Sequence, residues 1–202
     1  MVTTVQNDEV CTVAAGPLRL VFAWTGECWR HSIEVGSVTL ATSEEAGAAY
    51  SDPTRVVSPT YQQLSRRSDA SGEQALLVGQ WGRHHFSGVF TARETDDGVE
   101  IEADVAARTR AELAAFASTY RVYMTSSDLA DADLSGVAWS LSPRTPGRLR
   151  FEAVETAECA PRVSLSEAGG GAMRVQAEAA VAADRRTHRL AYRWRWAPAS
   201  YS

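Results

Sequence analysis

The feature that most constrains this chain is a two-residue alternation of apolar and polar side chains. Residues 173–181 place Met, Val and Ala on one side and Arg, Gln and Glu on the other, and residues 190–196 alternate Leu, Tyr and Trp with Ala and Arg. This period is typical of a half-buried antiparallel strand and differs from that of a helix. We predict that the two segments pair as a hairpin near the end of the sequence.

The same alternation marks a second hairpin in the middle of the chain. Apolar residues alternate along 86–92 and again along 99–107, and Asp97-Gly98 provides a turn between them. About a dozen strands can be traced in this way, and so many antiparallel strands are most stable as two packed sheets. We therefore predict an all-β fold, an antiparallel two-sheet sandwich that forms one domain over residues 1–202, with one or two short helical turns.

Three segments depart from the alternation. The best helix candidate is Thr109–Ala117, because Thr109 and Glu112 have the spacing of a capping box. Residues 43–46 form a second short candidate, capped by the serine. Residues 66–73 are polar and contain Gly and Ser, so we expect a mobile surface loop there.

Composition excludes one class of partner. The 202 residues carry a net charge of −5, and all twenty basic residues are arginines scattered along the chain. Nucleic acid requires a concentrated positive surface, so we expect no nucleic-acid partner. The absence of lysine, together with abundant alanine, is interpreted as the codon bias of a GC-rich bacterial genome.

The chain shows no signal of membrane insertion or export. No window approaches the length of apolar sequence that a transmembrane helix requires. The first eleven residues lack the basic start and the apolar stretch of a signal peptide. Cys11, Cys28 and Cys159 are distant in sequence, show no metal-ligand spacing and are expected to be buried free thiols. We expect a cytoplasmic protein without membrane association.

The best candidate for a ligand site is the segment that precedes the middle hairpin. Trp81 lies in a glycine-containing turn that leads into His84 and His85, and an indole face packs well against the C–H face of a sugar. We predict ligand contacts from Gln80, Trp81, Arg83 and His84; the alternative is a rim histidine with an ordinary hydrogen bond. Adjacent histidines on a strand point to opposite faces and cannot chelate one metal together.

No motif of catalysis or metal binding is present. Glu100, Glu102 and Asp104 share the polar side of one strand, which is typical of a solvated surface. Three aspartates between residues 128 and 133 lack the glycine and the distal glutamate of a calcium loop. No GxSxG nucleophile motif occurs. We predict no cofactor and no metal.

Three runs of sequence carry a resemblance to a known family: HHFSGVFTARETDDGVEIEADVAAR, LAAFASTYRVYM and THRLAYRWRWAP. Their succession resembles the strands of galactose-mutarotase-like supersandwich domains. The resemblance implies a charged outer face and a concave face that binds or acts on carbohydrate. Family members that epimerise aldoses use a histidine acid and a glutamate base, and His84 or His85 is the first candidate for the acid. The chain is shorter than a full epimerase, which favours a non-catalytic relative.

Three functions are compatible with these observations, in order of preference. The first is binding of a carbohydrate or a similar polar small molecule on a concave sheet face. The second is a non-catalytic structural or protein-interaction module that docks through a sheet face or an edge strand. The third is an aldose-epimerase-like enzyme. The sequence leaves open whether the protein forms a homo-oligomer or binds another protein.

Overall fold

The fold consists of two antiparallel β-sheets packed against each other, so the predicted sandwich is confirmed. The computed structural model describes residues 2–5, 10–44, 52–69, 72–124, 126–141 and 146–199. Within these residues the side chains on the inner faces of both sheets form one hydrophobic core. The alternation of the sequence thus sorts each strand into an inner and an outer side.

The larger sheet has nine strands, and its hydrogen-bonded neighbours run antiparallel. From one edge to the other they are β1 (Val2–Thr4), β7 (Gln63–Asp69), β8 (Gly72–Trp81), β9 (His84–Thr95), β10 (Gly98–Thr109), β17 (Thr187–Pro198), β14 (Gly147–Ala153), β13 (Gly136–Leu141) and β12 (Leu129–Ala132). The last strand in sequence, β17, therefore lies in the interior of the sheet.

The smaller sheet has eight strands. From edge to edge they are β15 (Arg162–Glu167), β16 (Met173–Ala179), β11 (Ala115–Val122), β5 (Val38–Ser43), β4 (Trp29–Val35), β3 (Leu18–Trp24) and β2 (Cys11–Ala15), and β6 (Arg55–Val56) pairs with β11 in parallel. A single 3-10 turn, Ser126–Asp128, is the helical element of the described residues. None of the described segments forms a helix with the length and apolar character needed to cross a bilayer.

The middle hairpin is confirmed, whereas the predicted hairpin at the end of the sequence is wrong. β9 and β10 pair from Thr95 and Gly98 to His84 and Thr109 around a two-residue turn. In contrast, β16 pairs with β11 and β15 in the smaller sheet, and β17 pairs with β10 and β14 in the larger one. A period of two shows which side of a strand is buried but leaves its partner undetermined, and residues 180–186 cross between the sheets.

The predicted helix at Thr109–Ala117 is also wrong. The Thr109 hydroxyl accepts a hydrogen bond from the Ala111 amide (3.0 Å) and donates one to the Ala111 carbonyl (2.7 Å), so it stabilises a turn. The following segment enters β11, in which Ala115–Tyr120 are buried throughout. At the start of β11 the backbone pairs with β16 on one side and with β6 on the other, and this pairing overrides the capping pattern.

The predicted surface loop at residues 66–73 is wrong for the part that the structure describes. β7 and β8 pair in register from Gln63 and Val78 to Asp69 and Gly72. The segment is polar because this end of β7 is exposed, and Arg66 forms an ion pair with Glu73 across the hairpin. The second helical candidate begins at Ser43, which ends β5, and its residues 45 and 46 lie outside the described residues.

Candidate functional site

The residues predicted to bind a ligand lie at the turn between β8 and β9, at one end of the larger sheet. Trp81 ends β8 and pairs with His84, which begins β9. Gly82, with a φ of 57°, and the exposed Arg83 form the two-residue turn between them. The Gln80 side chain donates a hydrogen bond to the Gly82 carbonyl (3.0 Å) and so supports the turn.

The two adjacent histidines face opposite sides of β9, as the alternation predicts. His84 points inward and is 2% exposed, whereas His85 is half-buried on the outer side. The His84 Nε2 lies 2.8 Å from the Pro53 carbonyl oxygen, and since a carbonyl only accepts, this nitrogen is the donor. The half-buried Trp81 ring stacks on His84 at 6.1 Å. Gln80 and Arg83 are exposed and Trp81 is half-buried, so these three predicted contacts are accessible to a ligand, whereas His84 is buried.

Two further connections meet this turn at the same end of the sheet. The Arg110 amide donates to the Arg83 carbonyl (3.2 Å), and the Thr109 amide donates to the Arg186 carbonyl (2.8 Å). The β8–β9 turn, the segment that follows β10 and the segment that precedes β17 are thus joined through their backbones. All three lie at the same end of the larger sheet.

A groove of about 660 Å³ lies between the second and third of these connections. Its lining includes Thr109, Arg110, Leu113, Arg185, Arg186 and His188. We call it the arginine groove. Its volume lies within the range of small-molecule sites. Burial lowers the pKa of His188, so its imidazole is neutral at pH 7.

Positive charge is concentrated around the arginine groove. Five exposed arginines lie at this end of the sheet: Arg83, Arg108, Arg110, Arg185 and Arg186. None of them forms an ion pair with a residue in the described ranges. The lining of the groove itself contains three of them, Arg110, Arg185 and Arg186, and two carboxylates, Glu112 and Asp184. A chain with a net charge of −5 therefore presents a local positive surface.

No family model, no curated protein and no solved structure matches this chain. Function is therefore inferred from the side chains and their surroundings.

Arginines elsewhere on the larger sheet are engaged by carboxylates. On its outer face Arg93 donates to Glu100 and to Glu102, both at 2.6 Å. Arg193 and Arg195 approach the same Glu100 at 3.7 and 3.6 Å. Glu100 is 3% exposed, so the prediction of a solvated carboxylate is wrong at this position because the guanidinium groups cover it. These arginines are already neutralised, in contrast to those of the arginine groove.

A polar chain crosses the interior between the two sheets. His31 Nε2 lies 2.8 Å from the Tyr120 hydroxyl, which lies 2.9 Å from the Tyr192 hydroxyl. Burial raises the pKa of Tyr192 to about 12 and lowers the pKa of His31 to about 3, so these groups are neutral at pH 7. In the sequence His31 is an isolated histidine, and its partners are far away along the chain.

Metal and redox chemistry have little support in the described residues. No cluster of three or more His, Cys, Asp or Glu side chains in these ranges is placed to hold a metal ion. Cys11, Cys28 and Cys159 are buried as predicted, and no disulfide joins them. Burial raises the pKa of the Cys159 thiol, which makes it a poor nucleophile.

Proposed function

We propose that the protein binds a small anionic molecule in the arginine groove, and that the ligand is a sugar bearing a carboxylate or a phosphate. The observation that carries the proposal is the set of exposed arginines without ion pairs around a groove of about 660 Å³. Guanidinium groups present paired N–H donors that match both kinds of anion. The carbohydrate part follows the sequence analysis, because the half-buried Trp81 beside Arg83 offers a flat apolar surface for a sugar ring.

We prefer a binding function to a catalytic one because the arginines that line the groove do not act as acids or bases. A guanidinium stays protonated at any physiological pH, so Arg110, Arg185 and Arg186 provide charge and hydrogen bonds but cannot exchange protons with a substrate. His188 is 5% exposed, which limits its access to a ligand in the groove. The groove therefore supports recognition of an anion better than acid–base chemistry.

We expect thermal unfolding to detect this ligand by charge. Glucuronate, galacturonate and a hexose phosphate should raise Tm, whereas glucose and galactose should not, because they lack the anionic group. A ligand that binds only the folded state adds about 2.7 kcal/mol at one hundred times its dissociation constant. The shift should decrease with added salt, because the arginines are exposed.

Single variants test the site. The rise in Tm should be smaller in each of three groove variants, Arg110→Gln, Arg185→Gln and Arg186→Gln. Trp81→Ala should reduce the rise in Tm more for the acidic sugars than for inorganic phosphate. Arg162→Gln is the matched control, since Arg162 is an exposed arginine on edge strand β15 of the other sheet. Equal shifts with neutral and acidic sugars, or full shifts in all three groove variants, would contradict the proposal.

A further inference from the structure

A small cavity lies beside the polar chain in the interior. Its volume is about 10 Å³, which is close to the minimum for one water molecule. Its lining includes Trp29, His31, Thr60, Tyr61, Tyr120 and Tyr192, which come from both sheets and from the segment before β7. The cavity is therefore polar on several sides and too small for a sugar.

Four buried polar atoms in this lining have no hydrogen-bond partner among the described residues. They belong to four residues of the lining and are Trp29 Nε1, His31 Nδ1, Thr60 Oγ1 and Tyr61 Oη. Trp29 and Tyr61 are each 2% exposed, and His31 is 7% exposed. A buried polar atom without a partner costs about 1–3 kcal/mol, so four around one cavity call for a common explanation.

The hydrogen-bonding capacities of these atoms are complementary to those of water. The Trp29 indole can only donate, whereas the hydroxyls of Thr60 and Tyr61 can donate or accept. His31 uses Nε2 toward Tyr120, so Nδ1 has the opposite role in a neutral ring. A water molecule donates two hydrogen bonds and accepts two, and it can satisfy such a mixed set.

We propose that this cavity is a binding site for one long-lived water molecule, which bridges the Trp29 indole, the His31 ring and the hydroxyls of Thr60 and Tyr61. The water extends the chain from Tyr192 through Tyr120 to His31 and connects it to the segment before β7. The Tyr61 hydroxyl is held against the sheet, because a Cβ at Gly88 would lie 2.7 Å from it. The site is separate from the arginine groove.

Water-selective NMR on the whole protein tests the site. The Trp29 indole proton should show a cross-peak to water whose sign is opposite in NOE and ROE experiments, as dipolar contact with a long-lived water requires. The indole of Trp139 is the internal control, because it is equally buried and unpartnered but does not line the cavity. The absence of a dipolar cross-peak at Trp29, or equal cross-peaks at both indoles, would overturn the proposal.

The sign of one stability change gives an independent test. If the Tyr61 hydroxyl binds water, Tyr61→Phe removes a hydrogen bond and Tm should fall. If the hydroxyl is unbonded, the same variant relieves a buried polar group and Tm should rise, which would overturn the proposal. Tyr120→Phe is the matched control, since its hydroxyl is bonded to His31 and Tyr192 and its loss should lower Tm in either case.

Discussion

Replacing Trp194 with alanine is expected to lower the free energy of unfolding by about 3–5 kcal/mol, the range for large-to-small substitutions of buried aromatic residues. Trp194 is 1% exposed and lies at the centre of the aromatic core. Its ring contacts Phe151 at 4.8 Å, Tyr120 at 5.2 Å and Trp139 at 6.2 Å. These residues belong to three strands besides its own, so neighbouring side chains cannot all move in to fill the space.

Urea unfolding followed by circular dichroism measures this loss. Trp24→Ala is the matched control, because Trp24 is only partly buried and its ring meets Trp29 at 5.6 Å near the end of β3. The decrease in the free energy of unfolding should be clearly smaller in Trp24→Ala than in Trp194→Ala. Equal losses in the two variants would mean that the core is not centred on Trp194.

Acidification should destabilise the protein well before its carboxylates become protonated. Burial lowers the pKa of His31 from 6.5 to about 3. Above pH 6.5 the ring is neutral in both states and the full stability is present. As the pH falls from 6.5 toward 3, only the unfolded chain takes up the proton, so stability decreases by about 1.4 kcal/mol per pH unit. Between pH 7 and pH 4.5 the expected loss is roughly 3 kcal/mol.

The surroundings of His31 provide little compensation for a positive charge. The hydroxyls of Tyr120 and Tyr192 lie on one side, and the rings of Phe22 and Phe90 lie 5.4 and 5.2 Å away. Glu44 lines the same cavity but forms a two-point ion pair with Arg174. Protonation of His31 inside the folded protein is therefore costly.

Urea unfolding at a series of pH values between 7 and 4.5 tests this expectation. His31→Gln removes the titrating ring and should flatten the profile. Burial also lowers the pKa of His188, but a backbone hydrogen bond at Arg185 and the charge of Asp184 act in the opposite direction. His188→Gln should therefore keep most of the native slope. A native profile without a slope in this window, or an unchanged slope in His31→Gln, would show that His31 does not control acid stability.

Local pattern predicts those parts of the fold that local geometry determines. The hairpin of β9 and β10 is predictable because two residues connect strands of matching alternation. The sheet to which β16 and β17 each belong cannot be predicted in this way. Each strand has one apolar side that either sheet could bury, and its pairing partner depends on strands far away in sequence. Thr109 shows the same limit, because a threonine and a glutamate at capping distance stabilise a helix only where no strand partner competes.

Only part of the candidate site can be recognised in the sequence. The turn of Trp81 and Arg83 stands out through its own residues, and in the structure its backbone is bonded to Arg110, which lines the groove. Arg110 and Arg186 look scattered in the sequence, because the connections that carry them converge only in the fold. For Glu100 the sequence predicts an exposed carboxylate, but arginines on β9 and β17 cover it in the structure.

The position of β17 has a consequence for biosynthesis. This strand joins β10 to β14 and is made after all eight other strands of its sheet. While the ribosome is still translating it, the growing chain holds one group of strands ending at β10 and another ending at β14, each with an unpaired edge. Such edges recruit strands of other molecules. Until β17 emerges, a nascent chain therefore exposes two strand edges that the finished sheet keeps paired.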